Sequence, residues 1–170
     1  SDMPNPINQY GKSKLNGERI IENSDHNHII FRTSWVYDNY SKNFPNKIIH
    51  NFVNDKESYI VDDQVGTPNH VNFIAEATFR CITEYSKYDD QNKLNACGIY
   101  HMSTLGETSW YKFGCYLLKQ YKRKKNIENT PSILSTSSQD LSLKAARPKY
   151  SVLNTEKLVR QFELDLPSWQ

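Results

Sequence analysis

Two residue types that can move a proton together stand near the start of the chain: Tyr10 and Lys14, in the stretch NQYGKSK. Four residues along a helix bring two side chains onto one face, with Cβ atoms about 5–6 Å apart. An ammonium held there stabilises a tyrosinate. The phenol, whose ordinary pKa is about 10, then becomes a general acid able to protonate a carbonyl oxygen closer to neutral pH. Spacing by itself is weak support, because the chain holds 11 tyrosines and the same interval recurs at Tyr121 and Lys125, where Tyr121 continues an apolar stripe. On these residues alone, Tyr10 and Lys14 are either a proton-transfer pair or the start of an ordinary amphipathic helix.

The elements that position the pair follow from patterning. Pro4 and Pro6 fix an extended approach, and Tyr10 to Asn23 reads as a helix capped by Asn8, with Gly17 as its weak point. His28 to Tyr37 opens with a β-branched and aromatic run, the pattern of an interior strand covered on both faces. Helical spacing returns at Ile48, Ile49, Phe52 and Val53, followed by a strand over Ser58 to Val61 and a polar turn over Asp62 to Pro68. Ile74, Thr78, Cys81, Ile82 and Tyr85 form a helical stripe. Lys87 to Ala96 reads as a charged loop, and Gly98 to Ser103 as a strand.

A further helix carries Trp110, Phe113, Leu117, Leu118 and Tyr121 and ends in Lys122 to Lys125, where positive charge suits the carbonyl end of the dipole. After a polar stretch over residues 133–146, a last helix capped by Asn154 covers Leu158, Val159 and Phe162. Alternating strands and helices predict an α/β fold with a largely parallel sheet. The strand, glycine-rich turn and helix that open a dinucleotide-binding domain have no counterpart, since neither GxGxxG nor GxxGxxG occurs.

Composition narrows the function classes. A net charge of +2 with 24% charged residues gives no basic surface suited to gripping nucleic acid. Cys81, Cys97 and Cys115 make no CxxC pattern and read as reduced core residues of a cytoplasmic protein. No run approaches 18 apolar residues, and the first residues lack the regions of a signal peptide, so no membrane association is expected. His26, His28 and His101 show no metal-ligand spacing, and no metal is expected.

PNPINQYGKSKLNGE closely resembles the active-site helix of extended short-chain dehydrogenases/reductases. RTSWVY with Asn43-Phe44, then VDDQVGTP, GIYHMS, GETSWYKFG and ARPKYSVLNTEKL, resemble the dTDP-4-dehydrorhamnose reductase family in particular. These segments occur in family order over nearly the whole chain, and only the C-terminal portion of the family is matched. The resemblance implies a partial Rossmann-like α/β fold lacking the N-terminal dinucleotide-binding strands. Residues 1–62 would be the C-terminal part of the Rossmann-like domain with the active-site helix, and 63–170 mainly a smaller substrate-binding lobe with interleaved sheet elements.

It further implies an NAD(P)H-dependent reduction of dTDP-4-dehydro-L-rhamnose to dTDP-L-rhamnose. Tyr10 would be proton donor, and Lys14 would lower its pKa and bind the nicotinamide ribose, so both are catalytic and cofactor-binding. With its cofactor site, for NADPH or NADH, incomplete, the isolated chain is expected to be inactive. A non-catalytic nucleotide-sugar-binding or regulatory protein on the same scaffold is the alternative. Substrate-binding candidates are Trp35, against the apolar face of a sugar or structural; Asn43 and Phe44, with Asn43 alternatively an N-cap; Gln64, favoured over Asp62 and Asp63 because a carboxylate repels a diphosphate; and Arg147, a phosphate ligand or a salt-bridge partner. Thr33 and Ser34 are taken as backbone caps, Trp110 and Tyr111 as core. An open sheet edge makes a homodimer a fair expectation.

Overall fold

The computed structural model describes residues 3–128, 133–141 and 145–170. Helix α1 (Gln9–Glu22) begins where the Asn8 side chain accepts from Gly11 N at 2.8 Å, satisfying a donor that has no partner within the helix. It buries no residue. Side-chain hydrogen bonds tie it down at both ends: Asn8 Nδ2 donates to the Ala146 carbonyl at 2.9 Å, and Glu18 accepts from Arg32 through both carboxylate oxygens.

The run from His28 to Tyr37 is not one strand. It divides into β1 (Ile29–Arg32) and β2 (Val36–Tyr37), because Trp35 adopts a φ of 47°, in the left-handed region that breaks a strand. Nor is β1 doubly covered: all four of its residues are half-buried, and β6 (Gly98–His101) is its one partner among the described residues. Ile29 and Phe31 face the core while Ile30 takes the opposite face, so the apolar run reflects one packed side plus one apolar residue on the other.

Helix α2 (Phe44–Val53) is capped by Asn43, with Pro45 in its first turn. Strand β3 (Ser58–Val61) leads through β4 (Val65–Gly66) and β5 (Asn69–His70) into α3 (Val71–Ser86). The charged linker is not a loop throughout, since Asp89 caps a short exposed helix, α4 (Asp90–Asn95), through Asn92 N at 2.8 Å. After β6 comes β7 (Thr108–Ser109), and Ser109 caps α5 (Trp110–Lys125), which closes on Asn126 in the left-handed conformation with four basic residues in its last turn.

The stretch 133–146 also holds structure that its polarity conceals. Strand β8 (Ile133–Thr136) pairs in parallel with β3, and Ile133 packs into the core; residues 142–144 of that stretch lie outside the described residues. Helix α6 (Glu156–Phe162) starts two residues after Asn154, so that Thr155 and not Asn154 stands at its cap position; the Asn154 side chain accepts from Glu156 N at 2.8 Å and so still serves the first turn.

Three pairings, β1–β6, β2–β5 and β3–β8, are parallel, and β4–β7 is antiparallel, giving the α/β, partial Rossmann-like architecture. Two apolar clusters hold it. One joins Ala77 and Cys81 of α3 to Tyr100, Met102, Leu158 and Phe162; the other joins Ile48, Phe52, Ile60 and Leu118. No helix among the described residues is long and apolar enough to cross a membrane.

Candidate functional site

A cavity of about 340 Å³ opens beside the second cluster, between α2, β3, the start of α5 and the chain around Arg147. Its lining includes Phe44, Gln64, Trp110 and Arg147, with Lys47 and Glu57 at the charged part. Three candidates from distant parts of the sequence, Phe44, Gln64 and Arg147, thus meet in one place.

The polar turn explains why Gln64 is the residue that reaches it. Asp62 accepts from the Ser109 hydroxyl at the cap of α5, and Asp63 accepts from Ser138 N at 3.0 Å and Ser138 Oγ at 2.7 Å. The Ser138 hydroxyl in particular holds the Asp63 carboxyl below the usual carboxylate range. Both carboxylates are therefore occupied elsewhere, and neither lines the cavity.

Trp35 does not line the cavity but supports its wall. Its ring stacks on Trp110 at 3.7 Å between centroids and 11° between planes, and Phe44 lies 4.7 Å from Trp110 at a tilt. The backbone of Gly66 lies so close to the Trp35 indole that no side chain fits between them. Trp110, expected as core alone, is half-buried and serves both as core and as wall; its place as first residue of a helix was the available signal. Lys47 and Glu57 carried no distinctive pattern, whereas Gly66 belongs to the VDDQVGTP stretch but was not singled out there.

Asn43 is placed as the cap of α2. Its Oδ1 accepts from Asn46 N at 3.1 Å and its Nδ2 donates to the Asp38 carbonyl at 2.7 Å, and it is not among the lining residues. Ser34 offers its carbonyl to Asn69, while its buried hydroxyl has no partner among the described residues. Asn69, fully buried, was missed in the sequence: its Nδ2 reaches the carbonyls of Ser34 and Thr67 and the Ser103 hydroxyl, and its Oδ1 accepts from Thr104 N at 2.8 Å. One amide thereby joins the strand ends behind the indole pair.

Tyr10 and Lys14 lie on the exposed side of α1, with Tyr10 73% exposed, and neither head group has a hydrogen-bond partner among the described residues. The Asn8–Ala146 bond connects the first turn of this helix to the residue preceding Arg147. All three cysteines are free; Cys81 is core, with burial pushing its thiol up to about 11, but Cys97 and Cys115 are only half-buried. His101 is likewise half-exposed, its Nδ1 3.1 Å from the Asn154 carbonyl. Among the described residues no three His, Cys, Asp or Glu side chains form a metal-holding group.

Comparison with known proteins gives this geometry a context. The chain is 33% identical over 173 residues to dTDP-4-dehydrorhamnose reductase of Escherichia coli K12, and 30% identical over 170 residues to that of Salmonella typhimurium; in each case all of this chain matches 55% of the relative. The chain thus spans about half the length of these curated relatives. A crystal structure of dTDP-4-dehydrorhamnose reductase from Bacillus anthracis, in complex with NADP, superposes with a TM-score of 0.82 at 32% identity, over 99% of this chain and 54% of that one. The fold extends to a UDP-glucuronic acid 4-epimerase from Bacillus cereus, at a TM-score of 0.70 and 16% identity. The description of the RmlD substrate binding domain matches residues 1–170, and the chain belongs to that family.

Proposed function

We propose that the chain is the C-terminal part of an NAD(P)H-dependent reductase converting dTDP-4-dehydro-L-rhamnose to dTDP-L-rhamnose, without turnover of its own. The convergence of Phe44, Gln64 and Arg147 on one cavity carries this reading, in a family whose relatives are named for that reduction. Trp35 backs Trp110, which offers an indole face to the sugar, and Arg147 with Lys47 takes the diphosphate. Gln64 donates and accepts where a carboxylate would repel, and Asn43 acts by fixing the turn that presents Phe44.

Tyr10 delivers the proton, and Lys14, one helical turn further on, assists it and binds the nicotinamide ribose; the reduced nicotinamide, NADPH or NADH, supplies the hydride. The chain's own residues fit only this end of the cofactor, as no glycine-rich turn is present to hold a pyrophosphate. The NADP in the Bacillus anthracis relative supports NADPH. Residues 1–62 carry the active-site helix and 63–170 most of the substrate lobe, in a cytoplasmic protein that pairs with a second copy.

Titrating the chain with dTDP-L-rhamnose while following tryptophan fluorescence tests the site. Saturable quenching is expected, with affinity falling roughly tenfold in Arg147→Ala, the loss of one charge-assisted hydrogen bond. Absence of binding, or binding indifferent to both Arg147→Ala and Gln64→Ala, overturns the assignment. NADPH oxidation is expected only when the part of a relative that this chain does not span is fused to it. Binding without reduction in that fusion favours a nucleotide-sugar-binding or regulatory protein.

A further inference from the structure

The cavity is walled on one side by a single stripe of α2, Phe44, Lys47, Ile48 and Asn51, at the i, i+3, i+4, i+7 spacing of one helix face. Seven residues at a rise of 1.5 Å set Asn51 about 10 Å from Phe44. Trp110 lies at the Phe44 end, 4.7 Å away, and it follows Ser109, the ladder partner of Val65. Val65 N in turn donates to the Lys149 carbonyl at 2.8 Å, which brings Gln64 and the chain around Arg147 to that same end. The other end belongs to Asn51, Glu57 and Ser58, whose side chains have no part in holding the sugar or the diphosphate.

Charge gives the cavity a direction. Arg147 stands at one end and the Glu57 carboxylate at the other, so a diphosphate is drawn to the first and repelled from the second. Lys47 lies one turn before Asn51 on the same face, and a nucleoside continuing from the phosphates runs along α2 towards Asn51.

There the side chains are arranged to read hydrogen bonds. Asn51 Nδ2 donates to Ser58 Oγ at 3.0 Å, and Ser58 is 8% exposed and fixed by its place in the β3–β8 ladder. The main chain of Asn51 is held as well, its carbonyl accepting from Lys56 N at 2.9 Å. One amide hydrogen thus sets the plane of the group. The second hydrogen and Oδ1 have no partner among the described residues, and together they make one donor beside one acceptor. The imide edge of thymine is the converse, an N3–H beside a carbonyl oxygen, and an amide meets such an edge through two bonds, as Asn meets adenine.

We infer that Asn51, oriented by Ser58, is a further specificity-determining residue, its amide pairing with the imide edge of the nucleobase. The inference rests on the reading of the cavity as a nucleotide-sugar site given above. Its test is calorimetric titration of the chain with three probes: dTDP; N3-methyl-dTDP, which lacks the imide hydrogen; and 2-deoxyribose 5-diphosphate, which lacks the base. dTDP is expected to bind roughly 20-fold more tightly than N3-methyl-dTDP, the effect of one bidentate pair. Asn51→Leu erases that preference and leaves the base-free probe unchanged, whereas Arg147→Ala weakens all three. Ser58→Ala narrows the preference and Ser58→Thr, which keeps the hydroxyl, retains it; a merely structural role moves the three probes alike.

The N3-methyl comparison needs no variant and so decides the matter even should Asn51→Leu fail to fold. Equal affinity for dTDP and N3-methyl-dTDP, or a preference that survives Asn51→Leu, overturns the inference while the dependence on Arg147 stands. Absence of dTDP binding is the separate failure of the functional reading, and it removes both.

Discussion

Replacing Gly66 with alanine bears directly on the indole pair. A Cβ at this position would stand 2.5 Å from Trp35 Cε2, 2.7 Å from Trp35 Nε1 and 2.8 Å from Ser151 Oγ. Carbon contacts settle near 3.5–4.0 Å, so the indole must withdraw by about 1 Å. Withdrawal is blocked because Trp110 is stacked on it at 3.7 Å, and because the Trp35 carbonyl accepts from Asn69 N at 3.1 Å. The φ of Gly66 is not positive, so the backbone itself tolerates alanine and the cost is one of contact.

Overpacking of this kind costs about 1–3 kcal/mol, and loss of the stacked pair adds about 0.5–1.5 kcal/mol. A destabilisation of about 2–4 kcal/mol is expected in urea unfolding, with loss of the near-ultraviolet circular dichroism of two stacked indoles. Gly17→Ala is the control. Nothing lies within 4 Å of a Cβ there, and alanine inside α1 should stabilise by about 0.5–1 kcal/mol. A Gly66→Ala loss below about 0.5 kcal/mol with the indole signal intact would refute the reasoning.

Asn69→Ala should cost about 3–5 kcal/mol, because it strands buried carbonyls of Ser34 and Thr67 and the amide of Thr104, and urea unfolding at pH 7 measures it. His101 has its folded-state pKa depressed, chiefly by desolvation, so the unfolded chain takes up the proton first. Its contribution is therefore complete above about pH 6.5 and declines as pH falls through the window below it; His101→Gln should flatten that part of the stability profile. Cys81, 1% exposed with its thiol pushed up to about 11, should resist thiol reagents until the chain unfolds, while Cys97 and Cys115 react first in mass-spectrometric footprinting.

Capping was legible at several helix starts, where the signal is local, although the Asp89 cap of α4 was passed over. Asn8, Asn43 and Asn154 each serve the helix start at which they were read, since one side-chain oxygen and a donor two or three residues ahead suffice. What depended on distant partners was not. Strand β8 exists because β3 offers it a parallel ladder, and its four residues, Ile-Leu-Ser-Thr, are too few to stand out from the polar stretch around them. The break at Trp35 is imposed by its packing on Trp110 and Gly66, a tertiary contact that overrides the strand preference of the surrounding residues. In the site, Phe44, Gln64 and Arg147 were readable through resemblance. Trp110 was assigned to a core stripe, and helical periodicity cannot tell a core face from the edge of a cavity that adjoins it.

The way α1 is fastened makes ionic strength a variable of its own. A helix without a buried side chain, gripped by a guanidinium fork and one amide bond, loses part of its hold as mobile ions gather, over a screening distance of about 8 Å at physiological salt. In molar salt α1 is therefore expected to sit somewhat less firmly against the fold than in dilute buffer, a difference that hydrogen exchange of its amides would register.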